Sequence, residues 1–370
     1  MDSLHHVWIE ISFSNLAHNL EQIKQHTPGK KILGIVKKNA YGHGLVEVGK
    51  RLAKLDVDYL GVIYPFEGIQ LRDAGVEKPI LVLGATLPTD IRGCLDKGLE
   101  FSLLSMDHLS AVEKASVASG NKGRVHIKID TGMNRIGVPW NRSEALIKAA
   151  LASKHVEIIG LFSHLASADT PNVGFSKVQV DRLQSAVNYF ESAGGKKPLI
   201  HLAASGGILH YPETHFDMVR PGHLLYGVYP DHEAERSLDL RPVLSLHARV
   251  AFTKKIDKGA TVGYGQSWTA TKSTHISTVP IGYGDGYPRG LRNQCQVMAR
   301  GQLFPVVGSV CMDQIMVDTG EIQLEPGEEV VLVGRHGKHS IKVEELAKVL
   351  NTVPDDLLSG FHIDIPRNFS

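Results

Sequence analysis

Residues 32–44 read Ile32-Leu-Gly-Ile-Val36-Lys37-Lys-Asn-Ala-Tyr41-Gly-His-Gly44: five apolar residues, two lysines, then a glycine-punctuated loop. An apolar run of that length, bounded by turn residues, reads as a buried strand, and the residues after it are reactive rather than merely polar. The same texture recurs outward from this point. Short apolar runs at Tyr59–Ile63, Ile80–Leu83, Glu100–Leu104, Val125–Ile129, Ile158–Ser163, Leu199–Ala203 and Met218–Tyr226 are separated by helix-length segments. Pro28-Gly29 closes the first helix, and Leu87-Pro88-Thr89-Asp90 opens another. Eight such units between about residues 14 and 226 predict a parallel (β/α)8 TIM barrel within an α/β chain.

After about Asp239 the pattern changes to Val/Thr/Gly-rich strands at Leu244–Phe252, His275–Ile281, Gln296–Met298 and Glu329–Val333, so a mainly β C-terminal domain follows the barrel. The polar stretch Pro230 to Ser237 reads as the connection. The expected division is 1–238 for the barrel and 239–370 for the β domain, which suits a chain of 370 residues.

In barrels the site lies where the strands end, so the residues after each run carry the functional reading. Lys37 and Tyr41 follow the first strand, and Lys128, Asp130 and Arg135 the fifth. His164 ends the sixth, Ser205-Gly206-Gly207 follows the seventh, and Arg220-Pro221-Gly222 the eighth. Singly, each is an ordinary surface or packing residue. Together they suit an anionic carbonyl cofactor: an amine for an aldehyde, arginines for a ring nitrogen or carboxylate, and small residues for a phosphate. Pyridoxal 5'-phosphate (PLP) needs all three.

Other classes are poorly supported. Lys+Arg 40 against Asp+Glu 39 gives a net charge of +1, too little to attract nucleic acid. Cys94, Cys295 and Cys311 form neither a disulfide framework nor a zinc pattern, and His201 and His210 are in no metal-binding spacing, so no metal is expected. Gly282-Tyr-Gly284-Asp-Gly286 lacks the spacing of a phosphate loop and reads as a turn. With no signal-peptide pattern and no long apolar run, a soluble cytoplasmic protein with no membrane partner is expected.

The stretch Ile35 to Gly44 resembles the cofactor-binding signature of alanine racemases. Further matches follow in order at Lys128 to Gly137, Phe216 to Gly222, Val262 to Gly265, Pro280 to Gly286 and Gly308 to Gln314. The resemblance implies PLP-dependent interconversion of L- and D-alanine, supplying D-alanine for peptidoglycan, in a homodimer whose active sites are shared. It implies that Lys37 carries PLP and is one base, while Tyr264 of the partner chain is the other. Arg220 would face the pyridine nitrogen, with His164 in the network behind Tyr264. Tyr41, Ser205 and Gly222 would hold the phosphate, and Arg135 and the partner's Met312 the substrate carboxylate. Tyr283 would narrow the entrance, with Asp313 beside Met312, and Lys128 matches a position often carbamylated in the family.

Two opposed bases suit racemisation, because the α-proton leaves one face and returns to the other. A phenol ordinarily ionises near about pH 10, so a tyrosine base needs neighbouring positive charge. Some positions depart from the family pattern: Ala204 stands where asparagine is usual, Ile363 and Asp364 where tyrosine and arginine are usual, and Lys38 where alanine is usual. The competing readings are a racemase of broader range, acting on serine for example, a related decarboxylase, and a non-catalytic PLP-binding protein.

Overall fold

The computed structural model describes residues 5–169, 173–231 and 236–370. The connecting stretch expected at Pro230 to Ser237 therefore lies partly outside the described residues.

The barrel strands are β1 (Lys31–Ile35), β2 (Tyr59–Val62), β3 (Ile80–Val82), β4 (Glu100–Leu103), β5 (Gly123–Asp130), β6 (Val156–Phe162), β7 (Leu199–Ala204) and β8 (Met218–Arg220). All pair in parallel in sequence order; β8 returns to β1, closing an eight-stranded barrel as expected. Its core strands are fully buried: Leu60, Ile80, Leu81, Val82, Phe101 and Leu103 expose no surface. Each strand sits between the barrel interior and the helical layer, which explains the near-continuous apolar runs.

Two expected strands are cut short. The run Met218–Tyr226 leaves the sheet at Arg220, and His223–Tyr226 forms a 3-10 turn. Pro221 has no N–H to continue a ladder, and the Gly222 N–H is given to Ser205 Oγ at 3.2 Å. The run Leu244–Phe252 breaks into Leu244–Arg249 and Phe252–Ile256. Between them Val250 N donates to Glu328 O and Ala251 N to Thr278 O, so the chain changes partner strand in two residues.

The C-terminal domain is built on a ten-stranded sheet. It includes the strand Val7–Ile11, which pairs antiparallel with Leu244–Arg249 and in parallel with Arg367–Phe369. The first strand of the chain thus precedes the barrel in sequence and belongs to the other domain's sheet. The domains also meet where the helix Pro354–Gly360 packs on the loop after β1. A Cβ at Gly42 would fall 2.1 Å from the Leu358 carbonyl oxygen, and Arg367 Nε donates to the Gly42 carbonyl at 2.9 Å. That contact fixes the loop that carries Lys37.

Candidate active site

Lys37 leaves the end of β1 and begins a left-handed turn: Lys38, Asn39, Ala40 and Tyr41 have φ of 54°, 54°, 53° and 53°. That conformation costs about 1–2 kcal/mol per non-glycine residue, so it needs support. Lys38 N donates to Glu67 Oε1 at 2.6 Å, Leu45 N to Asn39 Oδ1 at 2.8 Å, and His43 Nδ1–H faces the carbonyls of Ala40 (2.9 Å) and Tyr41 (2.8 Å). The turn points the Tyr41 ring back under the lysine, with Lys37 Nζ 5.8 Å from its centroid. Burial lowers the Lys37 pKa, opposed by the carboxylate of Asp355.

At the end of β8, the strand next to β1, lies Arg220, buried with no carboxylate among its hydrogen-bond partners. It donates to the carbonyls of Ser163 (2.9 Å) and Leu202 (2.8 Å), and to His201 Nδ1 and His164 Nδ1, both at 3.1 Å. Burial, reinforced by Arg135, holds its pKa down to about 9. His164 and His201 are held well below the ordinary histidine value, again by burial and then by Arg220.

Lys128 is buried in the barrel, 4.6 Å from the Phe162 ring centroid, with its pKa driven well down by burial and the neighbouring Arg220 and Arg135. Lys37, Lys128, Arg135 and Arg220 thus form a cluster of cations that disfavour one another's charge. Such a cluster is relieved by loss of a proton from a lysine or by an anion entering it.

A small open cradle is formed by the ends of β7 and β8. Ser205 Oγ accepts from Gly222 N at 3.2 Å and Leu224 N at 3.5 Å. A Cβ at Gly222 would lie 2.7 Å from the Tyr41 hydroxyl, so only glycine leaves that space open. An amine, a cation cluster and an open cradle on one rim match the aldehyde, charges and phosphate of PLP. Ala204 caps no backbone group at the start of the Ser205–His210 helix.

Lys37, Tyr41, Lys128, Arg135, His164, Ser205, Arg220 and Gly222 are therefore brought to one mouth. Tyr264, Tyr283, Met312 and Asp313 are not: they share an exposed patch of the C-terminal domain. There Tyr283 N donates to Cys311 O, Gly284 N to Met312 O, and Ser309 Oγ to Tyr264 O. Sequence reasoning missed Asp355, which pairs with His223 at 3.2 Å beside the mouth, and Glu67, which pins the left-handed turn.

The family model for the alanine racemase N-terminal domain matches residues 11–230, and that for the C-terminal domain residues 243–369. The chain belongs to the alanine racemase family. An alanine racemase of Cutibacterium acnes is 40% identical over 360 residues, 96% of each chain. The alanine racemase of D-cycloserine-producing Streptomyces lavendulae superposes with a TM-score of 0.95 at 31% identity, covering 100% of this chain and 98% of the other. A histidine racemase of Leuconostoc mesenteroides subsp. sake is also similar, with a TM-score of 0.91, 31% identity, and 99% and 98% covered. Membership carries the cofactor, PLP, and the reaction, racemisation of alanine. Among the described residues no helix is long and apolar enough to cross a membrane.

Proposed function

We propose that this chain interconverts L- and D-alanine by passing the α-proton between Lys37 Nζ and the phenol of the partner subunit's Tyr264. The observation that carries the reading is the desolvated Lys37 at the same barrel mouth as the Ser205–Gly222–Tyr41 cradle and the buried cation Arg220. Bound PLP supplies a conjugated ring that takes up the electron pair left when the α-proton departs.

The residues divide the remaining work. Tyr41, Ser205 and the backbone at Gly222 hold the phosphate, and Lys37 attaches the cofactor and serves the D-alanine side. Arg220, protonated near neutrality, would donate toward the ring nitrogen of a bound cofactor, and a guanidinium there would leave that nitrogen unprotonated and the electron sink weak. A weak sink favours quick return of the proton over transamination. Arg135, the partner's Met312 and the backbone near it receive the substrate carboxylate, and His164 links Arg220 to the partner's Tyr264. Tyr283 narrows the entrance, with Asp313 supporting that rim, and a carbamylated Lys128 would relieve the charge beside Arg135.

We take the barrel domain as residues 1–238, less the strand Val7–Ile11 that joins the other sheet, and the β domain as 239–370 with that strand, the protein as a cytoplasmic homodimer, and its product as D-alanine for peptidoglycan. A broader racemase is the second reading, favoured by the likeness to a histidine racemase and by the absence of a tyrosine at Ile363. The test is an absorbance spectrum of the PLP-loaded protein before and after borohydride, followed by D-alanine formation from L-alanine. A band near ~420 nm that borohydride fixes onto Lys37, together with racemisation, supports the reading. Failure to bind PLP sinks it, and faster turnover of serine than alanine moves it to the broader class.

A further inference from the structure

Arg220 is one end of a hydrogen-bonded chain that runs down the barrel interior. Its Nη1 meets His201 Nδ1 at 3.1 Å, His201 Nε2 meets His126 Nδ1 at 2.9 Å, and His126 Nε2 meets Glu100 Oε2 at 2.9 Å. The other Glu100 oxygen accepts from Arg124 Nη2 at 2.7 Å. Glu100, His126 and His201 are fully or almost fully buried. Glu100 is the first residue of β4 and Arg220 the last of β8, so the chain connects the bottom of the barrel to the site at its top.

Both ends fix its protons. A guanidinium has donors and no acceptor, so His201 must present a lone pair at Nδ1 and carry its proton on Nε2. That proton faces His126 Nδ1, whose lone pair puts the His126 proton on Nε2, directed at the carboxylate. Without an acceptor at Glu100, His126 has reason to turn its proton inward. His201 would then carry a proton on Nδ1, pointed at the donor of Arg220.

The corridor is built for this crossing. His126 on β5 reaches His201 on β7 over β6, where residue 160 is glycine. A Cβ there would lie 2.4 Å from His126 Nδ1. The Phe162 ring stacks on His201 with centroids 4.7 Å apart, closing the corridor from above.

We propose that Glu100 is a positioning residue for Arg220: through His126 and His201 it sets which lone pair meets the guanidinium, and so how firmly Arg220 is held toward the cofactor ring. The proposal rests on the placement of Arg220 against the ring nitrogen. Its consequence is chemical fidelity. When Arg220 is held less firmly the ring nitrogen gains access to a proton, and more turnovers end in transamination, in which the amino group of alanine stays on the cofactor and pyruvate leaves.

The test compares Glu100→Met, which removes the acceptor, with Glu100→Gln, which keeps one while Arg124 turns to Glu157 and water. Pyruvate released per D-alanine formed is measured in the PLP-loaded proteins. Imidazole N–H signals of His126 and His201 are recorded with and without PLP. Glu100→Met is expected to raise the pyruvate ratio on the order of ten-fold and to move the imidazole signals. Glu100→Gln is expected to restore most of the wild-type ratio, leaving a rise of about two-fold from the lost charge. A folded Glu100→Met protein with the wild-type ratio and wild-type signals overturns the proposal. If that variant does not fold, a Glu100→Gln protein whose His126 imidazole N–H signal is unchanged overturns it instead, because that N–H is then not donated to residue 100. Failure of the wild-type chain to bind PLP would break the underlying reading alone, because the imidazole signals of the PLP-free chain still report on the relay.

Discussion

The barrel mouth and the C-terminal patch each offer half of a site, and they are prepared in opposite ways. Arg220 is buried and partnered by two carbonyls and two histidines, and the lysine loop is held left-handed by hydrogen bonds with Glu67, Leu45 and His43. On the patch, Tyr264 is 74% exposed, Met312 55% and Tyr283 43%, with backbone hydrogen bonds to hold the loops and open space around the side chains. Exposed aromatic and thioether groups on an ordered surface are what an interface offers before its partner arrives. The contrast teaches that one chain completes the barrel half of the proposed site and presents Tyr264 outward.

The largest effect comes from breaking the finished half. Lys37→Ala removes both the attachment point and one base, so racemisation should fall by more than the ~10⁴-fold that one acid–base group accounts for. Loss of the ~420 nm band from the PLP-loaded protein would accompany it; retained racemisation would remove Lys37 from the mechanism. Tyr264→Phe should cost about 10²–10⁴-fold while leaving the band intact. Mixing the two inactive proteins under subunit exchange should return roughly a quarter of wild-type activity, since half the dimers are hybrids with one intact site each. No recovery despite proven exchange would place both bases in one chain.

The finished half should also be the acid-sensitive one. His43, buried under the left-handed turn, has its pKa pushed down from 6.5 to about 4 by burial, partly opposed by its hydrogen bonds to Tyr41 and Ala40. The folded form therefore stays neutral while the unfolded chain takes up a proton below its ordinary value. Stability contributed by neutral His43 is present above pH 6.5 and is lost as pH falls toward about 4, by about 3 kcal/mol. Denaturant unfolding at pH 7 and pH 4.5 should show that loss, and His43→Gln should flatten it; an unchanged slope would assign acid sensitivity elsewhere.

The cradle gives a smaller effect. In Gly222→Ala the new methyl would stand 2.7 Å from the Tyr41 hydroxyl, where the phosphate is to sit. Crowding of that kind costs about 1–3 kcal/mol, so PLP affinity should weaken on the order of ten-fold while the fold melts close to wild type. Unchanged affinity in a titration of the PLP-free protein would move the phosphate away from Gly222.

Legibility divides along the same line. The barrel is readable because its strands are apolar on both faces, and the mouth because its residues come directly after those strands. The interior chain is less so. On β5, Arg124, His126, Lys128 and Asp130 alternate with Val125, Ile127 and Ile129, a period of two that resembles a half-exposed antiparallel strand. In a closed barrel the polar side of that alternation faces the interior, and closure is a tertiary fact. In sequence His201 invites only a metal reading, because its partners lie 19 to 75 residues away. Nor does periodicity announce the left-handed turn, since Asn39 and Gly42 are its sole local hints and its support comes from Glu67 and from Leu358 at the far end of the chain. The strand Val7–Ile11 is hidden for the same reason: its partners begin at residue 244.

The smallest expected effect tests whether the outward half is fully optimised. Ile363 stands where the resemblance to the family leads one to expect a tyrosine, and here it is 68% exposed with its carbonyl held by Arg367 Nη1 at 2.9 Å. The backbone at this position is thus fixed while the side chain supplies no donor. Ile363→Tyr restores a hydroxyl without filling a core, so thermal stability should hold and one hydrogen bond of about 1 kcal/mol should be gained. That energy corresponds to roughly a five-fold gain in PLP affinity or kcat/KM for alanine. A gain confined to alanine over serine would mean that the missing tyrosine had widened the substrate range. A gain shared by both would place the hydroxyl on the phosphate alone, and no gain would show that this chain holds the phosphate without it.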